Sequence, residues 1–376
     1  MTLKICHLIS GDLWGGAEVM AFHLLNGLQA LPGVDLFVIL LNEGRLSEEL
    51  HGLGIPTYVI NESKRSFAEI AWIATEIVRK RAPRIIHSHR YKENILSYLI
   101  ANTLAKDAVL VSTQHGMPEF YGGFPSMVHR LKSALHYRLV ASRFERMVAV
   151  SLDIKESLVR DYGFQEKRIQ IIHNGISIPE TISRNFRMKD YLAIGSAGRF
   201  FPVKDYPFMV EVAREVIGKT DKIRFELAGD GPMIGDIQRL IKTYGLEKHF
   251  LLRGFLNDVS VFYNGLDVYL NTSIHEGIPI SVLEAMAYGL PVIVPKVGGL
   301  REIVTDGVDG YIVDARNPKE FAGRCLSLFE NSTVRREMGH AARQRISREF
   351  ATQRMIQNYT DMYVQLIRSN EPGKSL

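Results

Sequence analysis

Short apolar runs alternate with longer amphipathic stretches along most of the chain. In the first half the apolar runs have the length and β-branched content of strands, and the segments between them space their apolar residues as helices do. The predicted strands are 3–9, 35–41, 57–60, 84–87, 109–113, 146–150 and 169–172. Strands that alternate with helices form a parallel sheet covered by helices, so the first half is predicted to be a doubly wound α/β domain.

The pattern is interrupted once and then restarts. Residues 177–190 (SIPETISRNFRMKD) lose the apolar periodicity and gather polar and turn-forming residues, which is typical of an interdomain linker. Predicted strands then follow at 192–197, 223–228, 250–252, 267–271 and 291–294. We therefore predict two facing Rossmann-like domains with parallel sheets, spanning residues 1–178 and 190–349.

The last predicted helix, 348–369, carries apolar residues along one face and therefore needs a surface to cover. These residues are Phe350, Met355, Ile356, Tyr359, Met362, Tyr363 and Leu366.

Composition narrows the class of protein. With 46% hydrophobic and 23% charged residues the chain is expected to be globular throughout. Its two cysteines, Cys6 and Cys325, have no CxxC partner, so neither a disulfide framework nor a cysteine zinc site is predicted. The apolar run at 4–9 is too short for a secretory signal, and no uncharged apolar run reaches the roughly 18 residues of a spanning helix. We expect a cytoplasmic protein.

The net charge of +5 favours an anionic partner, although nucleotides, phospholipid headgroups and nucleic acid would all qualify. Part of this charge lies in 124–147, a basic amphipathic segment predicted to be helical. Two interpretations of it stay open: it contacts an anionic membrane at the inner face, or it packs on the first sheet with a solvated basic face.

A predicted strand, loop and helix follow one another around Glu276 and Glu284. Their spacing lets the loop carboxylate and the helix carboxylate reach one ligand in the crevice at the end of the strand. Amides at the helix start, near Gly277, Ile278 and Ser281, favour a diphosphate there, so the acids are expected to face hydroxyls of a sugar and a ribose. Isolated acids are more often surface residues, and it is the surrounding glycines and prolines that favour a ligand site.

Two cations follow the first strand of the second half. Gly198 closes that strand, Arg199 follows it, and Lys204 stands five residues later, directly before a helix that opens at Asp205. A guanidinium can bind a phosphate with two hydrogen bonds and an ammonium can add a point charge, which together offset the charge of a departing diphosphate. The alternative is a solvated loop with ordinary cations.

Both motifs closely resemble those of the retaining family 4 glycosyltransferases of the GT-B fold. Glu276 and Glu284 match the E-x7-E motif of that family, and Gly198, Arg199 and Lys204 match its G-R-x4-K element. The resemblance implies a GT-B fold whose last helix, about 350–370, packs back on an acceptor-binding N-terminal domain.

The resemblance also implies roles for single residues. Glu276 would contact the donor sugar and Glu284 the ribose, and His115 would donate a hydrogen bond to a sugar hydroxyl. The implied catalytic residues are Glu276, Arg199, Lys204 and His115. The implied donor-binding residues are Gly16, Gly198, Gly229, Arg253, Gly277, Ile278, Pro279, Leu283 and Glu284.

The implied reaction transfers a sugar from a nucleoside diphosphate sugar, by default a UDP-sugar, to a hydroxyl of a cell-envelope glycan or lipid-linked saccharide, with retention and without a metal or cofactor. No Asp-x-Asp is present, and His87 with His89 has no evident third ligand, so polar contacts to the acceptor are preferred to a metal pair. We expect no nucleic-acid partner. Gly15-Gly16-Ala17-Glu18 lacks the G-x-G-x-x-G spacing, which weakens a dehydrogenase reading. A phosphorylase is disfavoured because no pyridoxal lysine site stands out, and a sugar-nucleotide epimerase or an idle nucleotide-sugar-binding scaffold stays open as an alternative.

Overall fold

The computed structural model describes residues 2–103, 107–116, 127–182, 190–314 and 316–370, and for residues 127–134 it describes the backbone alone. The chain divides into two compact units. Unit 1 comprises residues 1–175 together with 352–376, and unit 2 comprises residues 176–351.

The described part of unit 1 contains a seven-stranded sheet in the order β3-β2-β1-β4-β5-β6-β7, with every neighbouring pair parallel. Its strands are β1 (Leu3–Ile9), β2 (Val34–Leu40), β3 (Thr57–Val59), β4 (Ile85–Ser88), β5 (Val109–Gln114), β6 (Arg146–Ala149) and β7 (Ile169–Ile171). Its first six helices are α1 (Gly16–Gln29), α2 (Arg45–Gly52), α3 (Phe67–Arg81), α4 (Tyr91–Thr103), α5 (Met127–Arg143) and α6 (Leu152–Tyr162).

The described part of unit 2 repeats the plan with six parallel strands in the order β10-β9-β8-β11-β12-β13. Its strands are β8 (Leu192–Ala197), β9 (Ile223–Ala228), β10 (Phe250–Gly254), β11 (Val268–Leu270), β12 (Val292–Pro295) and β13 (Gly310–Val313). Its helices are α7 (Tyr206–Ile217), α8 (Ile234–Thr243), α9 (Ser260–Gly265), α10 (Ile280–Ala287), α11 (Leu300–Ile303), α12 (Pro318–Glu330) and α13 (Ser332–Glu349).

Each sheet reverses its strand order once, between β1 and β4 in unit 1 and between β8 and β11 in unit 2. The loops that leave such a pair of strands diverge to opposite sides of the sheet and open a crevice at the carboxyl ends of the strands, where ligands bind in open α/β sheets. The fold therefore offers one crevice in each unit.

The final helix, α14 (Thr352–Ser369), belongs to unit 1 and packs on α1. The two helices approach so closely that a Cβ on Gly27 would lie 1.9 Å from Cδ1 of Ile356. The face of α14 that carries Tyr359 and Tyr363 is buried. The predicted fold class, two parallel α/β sheets with a C-terminal helix on the first domain, is confirmed.

Three local predictions differ from the structure. The predicted helix 348–369 is interrupted, because α13 ends at Glu349 and the backbone of Phe350 and Ala351 instead pairs with Ile176. Strand β13 is absent from the prediction, since it is a four-residue edge strand that begins with a glycine. The basic segment 124–147 is not one helix, because α5 ends at Arg143 and β6 follows. Residues 124–126 and the side chains of 127–134 lie outside the described residues.

Among the described residues, no helix combines the length and the apolar character that crossing a membrane requires.

Candidate active site

The crevice of unit 2 is built from two loops that leave β8 and β11. The loops are tied together because the Ile274 amide donates to the Val203 carbonyl (2.8 Å) and the Thr272 hydroxyl donates to the Lys204 carbonyl (3.0 Å). Asp205 then caps α7 by accepting from the Phe208 amide at 3.4 Å. The position of Lys204 is therefore fixed from both sides.

Lys204 and Glu276 form an ion pair in this crevice. Nζ of Lys204 lies 2.5 Å from Oε1 of Glu276, and the Ser273 hydroxyl donates to the same oxygen at 2.6 Å. The two charged side chains are 21% and 11% exposed, so the pair is largely shielded from water but still reachable by a ligand. The structure thus brings together two of the predicted catalytic residues.

A glycine that the sequence analysis missed supports Glu276 from behind. Gly298 has φ +48, and a Cβ there would lie 1.9 Å from the Glu276 carbonyl oxygen. The Gly299 amide donates to that same carbonyl at 3.2 Å. The sequence signal was the Gly298-Gly299 pair in the loop that follows the predicted strand 291–294, because close backbone approach demands glycine.

Glu284 lies on α10 and is held by a buried tyrosine. The Tyr263 hydroxyl donates to Oε2 of Glu284 at 2.8 Å. Burial raises the pKa of Glu284 to about 7, an effect that the Tyr263 hydrogen bond opposes. Tyr263 is 1% exposed and was not predicted, because a contact between residues 21 positions apart leaves no trace in local spacing.

The glycines at the ends of β8 and β9 are packed against each other. Gly198 has φ +159 and Gly229 has φ +133, and a Cβ on Gly229 would lie 1.9 Å from the Gly198 carbonyl oxygen. Arg199, the next residue, places its guanidinium 4.8 Å from the centroid of the Phe201 ring. Arg199 thus lies beside the crevice, stacked on its own loop.

Replacing Gly229 by alanine is expected to destabilise unit 2 by about 2–4 kcal/mol, because the new Cβ forces the two loops apart at an unfavourable φ. Gly235 on α8 is the matched control: a Cβ there meets nothing within 4 Å, and alanine in a helix stabilises by about 0.5–1 kcal/mol. Urea unfolding of both variants measures the difference, and equal midpoints would contradict the packing argument.

The remaining predicted donor residues of unit 2 are placed less directly. The guanidinium of Arg253 on β10 forms an ion pair with Glu226 on the neighbouring strand β9, at a distance of 2.8 Å. The side chain of Glu226 is buried, so this pair holds the guanidinium against β9. Gly277 and Ile278 are buried in the loop and Pro279 caps α10. The side chain of Leu283 is fully buried, and its amide donates to the Pro279 carbonyl at 3.2 Å within the first turn of α10.

In unit 1 the predicted glycine loop follows β1. Gly16 is the first residue of α1, and the amide of the preceding Gly15 donates to Oε2 of Glu18 at 3.1 Å. Glu18 is 1% exposed and is also ion-paired with Arg90, which follows β4. The loop therefore opens into the crevice of unit 1 and is locked by a buried carboxylate.

Histidines line the same face of the unit 1 sheet. Nδ1 of His7 lies 3.0 Å from Nε2 of His89, and Nδ1 of His89 lies 3.1 Å from Nε2 of His115. His87 pairs instead with the hydroxyls of Thr113 (2.8 Å) and Tyr363 (2.5 Å).

The structure alters the interpretation of His87 and His89. Their residues are 0% and 3% exposed, so both rings are interior groups and do not face an acceptor. A third histidine, His7, lies within ligand reach of both, contrary to the expectation that none was near. The sequence signal for His7 was a lone imidazole in an apolar predicted strand. Its pairing in register with residue 87 is visible only in the structure.

Two family descriptions match the chain. "Glycosyltransferase Family 4" matches residues 14–179, and "Glycosyl transferases group 1" matches residues 178–345. A UDP-Gal:alpha-D-GlcNAc-diphosphoundecaprenol alpha-1,3-galactosyltransferase of Escherichia coli is 24% identical over 388 residues, which cover 97% of each chain. An N-acetyl-alpha-D-glucosaminyl L-malate synthase of Bacillus anthracis is 24% identical, covering 80% of this chain and 79% of its own.

Solved structures give the same fold. Anabaena HepE in complex with UDP-glucose matches with a TM-score of 0.84 at 18% identity, covering 96% of this chain and 99% of HepE. Sucrose-phosphate synthase from Thermosynechococcus elongatus matches with a TM-score of 0.81 at 16% identity, covering 97% and 100%. With both halves of the chain matched by family descriptions, this protein belongs to the family 4 (group 1) glycosyltransferases of the GT-B fold.

Proposed function

We propose that the protein is a retaining glycosyltransferase that works without a metal or other cofactor, moving a sugar from a nucleoside diphosphate sugar to a hydroxyl acceptor. The observation that carries this proposal is the Lys204–Glu276 pair in the crevice of unit 2. It sets a cation suited to a diphosphate beside a carboxylate suited to sugar hydroxyls.

In the proposed complex the diphosphate competes with Glu276 for Lys204. A diphosphate carries more charge than one carboxylate, so the ammonium moves toward it and Oε1 of Glu276 becomes available to a sugar hydroxyl. Arg199 leaves its stacked position and adds a second cation. Glu284 accepts from ribose hydroxyls while Tyr263 holds the other side of the carboxylate.

The reaction we propose has balanced proton movement. The bond from the anomeric carbon to the diphosphate oxygen breaks, and the acceptor oxygen bonds to that carbon on the same face. The acceptor proton passes to the departing diphosphate oxygen, whose charge Lys204 and Arg199 stabilise. Neither Glu276 nor Glu284 acts as a nucleophile, because both are engaged with hydroxyls.

The relatives suggest the substrates to test first. HepE was solved with UDP-glucose, and the name of the E. coli relative specifies a UDP-galactose donor and a sugar diphosphoundecaprenol acceptor. We therefore propose a UDP-sugar as donor and a lipid-linked saccharide or another cell-envelope glycan as acceptor, met at the cytoplasmic side of the membrane.

Calorimetric titration of the EDTA-treated full chain with UDP-, GDP- and ADP-sugars tests the donor assignment. We expect saturable binding of the UDP-sugar without added metal. Absence of binding by all three nucleotide sugars would contradict the donor site, whereas binding without transfer to any acceptor would favour an idle nucleotide-sugar-binding scaffold. For a donor that binds, proton NMR of the product then gives the anomeric configuration, and an inverted product would refute the proposed mechanism.

A further inference from the structure

Three imidazoles in unit 1 form a continuous hydrogen-bonded row. His7 lies inside β1 and is 0% exposed, His89 follows β4 and is 3% exposed, and His115 follows β5 and is half-buried. The contacts run from Nδ1 of His7 to Nε2 of His89 (3.0 Å) and from Nδ1 of His89 to Nε2 of His115 (3.1 Å). The row therefore leads from the core to the loop at the crevice.

All three rings carry one proton each near neutral pH. Burial lowers the pKa of His89 to about 3, and the charge of Arg90 acts in the same direction. Burial also lowers the pKa values of His7 and His115 well below the ordinary range, and protonation of His89 would lower both further. A neutral imidazole has one N–H and one lone pair, so each ring donates through one nitrogen and accepts through the other.

Two such rings can bond only if one donates and the other accepts, so the protons of the row must all point the same way. Either every ring carries its proton on Nδ1 and the row donates toward His115, or every ring carries it on Nε2 and the row donates toward His7. The two ends decide between these arrangements.

Nε2 of His7 and Nδ1 of His115 have no hydrogen-bond partner among the described residues. One of these two nitrogens must carry a proton. His7 is sealed in the core, where no partner can reach it, and an unpaired buried N–H is costly. Nδ1 of His115 is also buried in the ligand-free chain, but the residue is half-buried in the loop that follows β5, so the oxygen of a ligand that enters the crevice can accept from it. The Nδ1–H arrangement therefore has the lower free energy.

We propose that His89 and His7 are positioning residues for His115, which they hold so that its Nδ1–H donates to an oxygen of the sugar substrate. The identity of this ligand rests on the proposed function, whereas the direction of the row does not. His115 is the group that would touch the substrate, and His89 and His7 act only through it.

A metal ion shared by His7, His87 and His89 fits the geometry less well. The rings of His87 and His89 stack with centroids 4.5 Å apart and planes 21° apart. A metal ligand directs its lone pair in the plane of its ring, and two nearly parallel stacked rings direct theirs side by side. Both nitrogens of His87 are also already bonded to hydroxyls.

The direction of the row is testable on the unmodified full chain without any substrate. In protein labelled with 15N-histidine, two-bond 15N–1H correlations report which ring nitrogen carries the proton. We expect Nδ1–H for His7, His89 and His115, which is the opposite of the form that free histidine favours. Nε2–H at His115, or a charged ring at neutral pH, would overturn the proposal.

The role of His89 is tested by His89→Phe, which keeps a ring but breaks the row. We expect kcat to fall about tenfold with little change in the donor KM, and the His115 signal to lose its single tautomer. His136→Phe is the matched control: His136 is equally buried, but its Asn94 contact belongs to the Ser88–Ser112 side of the sheet. We expect it to change neither readout.

These readouts separate the two proposals. If the wild type transfers sugar and a folded His89→Phe variant has the same kcat, the positioning role is refuted while the proposed function stands. Absence of transfer by the wild type would count against the proposed function. The tautomer measurement would still show in which direction the protons of the row point. If His89→Phe fails to fold, the wild-type spectrum remains decisive.

Discussion

Lys204→Met is expected to lower the rate of sugar transfer by about 10²- to 10³-fold, because methionine keeps the length of the side chain and removes the ammonium. A fixed cation aimed at the charge that develops on a leaving group contributes on this scale in a shielded site. The substitution also removes a cation that would bind the diphosphate, so we expect the nucleotide sugar to bind more weakly. Glu276 keeps one hydrogen-bond donor, the Ser273 hydroxyl. Steady-state kinetics together with calorimetry would measure both effects.

The control for this variant is Lys296→Met in the same unit. Lys296 forms a comparable pair with Asp314 at 2.7 Å, but its side chain is 45% exposed and that of Asp314 is 77% exposed. An exposed pair contributes at most about 1 kcal/mol to stability, and we expect the rate to be unchanged. A similar loss of rate in both variants would show that the effect arises from net charge and not from the position of Lys204.

Glu284→Gln is expected to weaken donor binding about 10- to 100-fold, because the charged acceptor for the ribose hydroxyls becomes neutral. The isosteric amide keeps an oxygen that can accept from Tyr263, so the change is confined to charge. Calorimetry with the donor identified for the wild type measures the loss. Unchanged affinity would remove Glu284 from the donor site.

The same substitution is expected to stabilise the protein at high pH. In the folded state the pKa of Glu284 is about 7, above the ordinary value near 4.3 in an unfolded chain. Between these pH values the folded state retains a proton that the unfolded state has released, so stability falls as pH rises through this window and the cost is complete above pH 7. Glutamine does not ionise and avoids this cost.

We therefore expect Glu284→Gln to be about 1–3 kcal/mol more stable than the wild type at pH 8 and about equal to it at pH 4. Burial also raises the pKa of Glu93 to about 7, so the pH trend of the wild type alone is not specific and the difference between the two proteins is the relevant quantity. Urea unfolding at both pH values measures it. An equal difference at both would show that ionisation of Glu284 is not the cause.

Most of the fold could be predicted from sequence because the strands of a buried parallel sheet are nearly continuous apolar runs. Leu3–Ile9, Leu192–Ala197 and Ile223–Ala228 are found as predicted. The errors lie where local pattern is weak, at the edge strand Gly310–Val313 and at the break before Thr352. That break depends on a backbone pairing with Ile176, which no local pattern encodes.

The predicted and the unpredicted residues of the site differ in the same way. The acids and cations of unit 2 stand in loops at strand ends, and a motif with turn residues makes such positions readable in sequence. Tyr263, Gly298 and His7 each act through a neighbour that is remote in sequence, so their importance depends on strand order and close packing. For His7, the information lies in the register between β1 and β4.

The position of α14 has a consequence for synthesis on the ribosome. Unit 2 is one uninterrupted stretch of chain, and its two ends meet where Ile176 bridges Ala351. Unit 1 is interrupted by it, so the buried hydroxyls of Tyr359 and Tyr363, which bond to Thr113 and His87, are translated only after all of unit 2. These polar groups of the unit 1 sheet therefore stay uncovered until α14 has left the exit tunnel. Unit 2 can finish folding before that point.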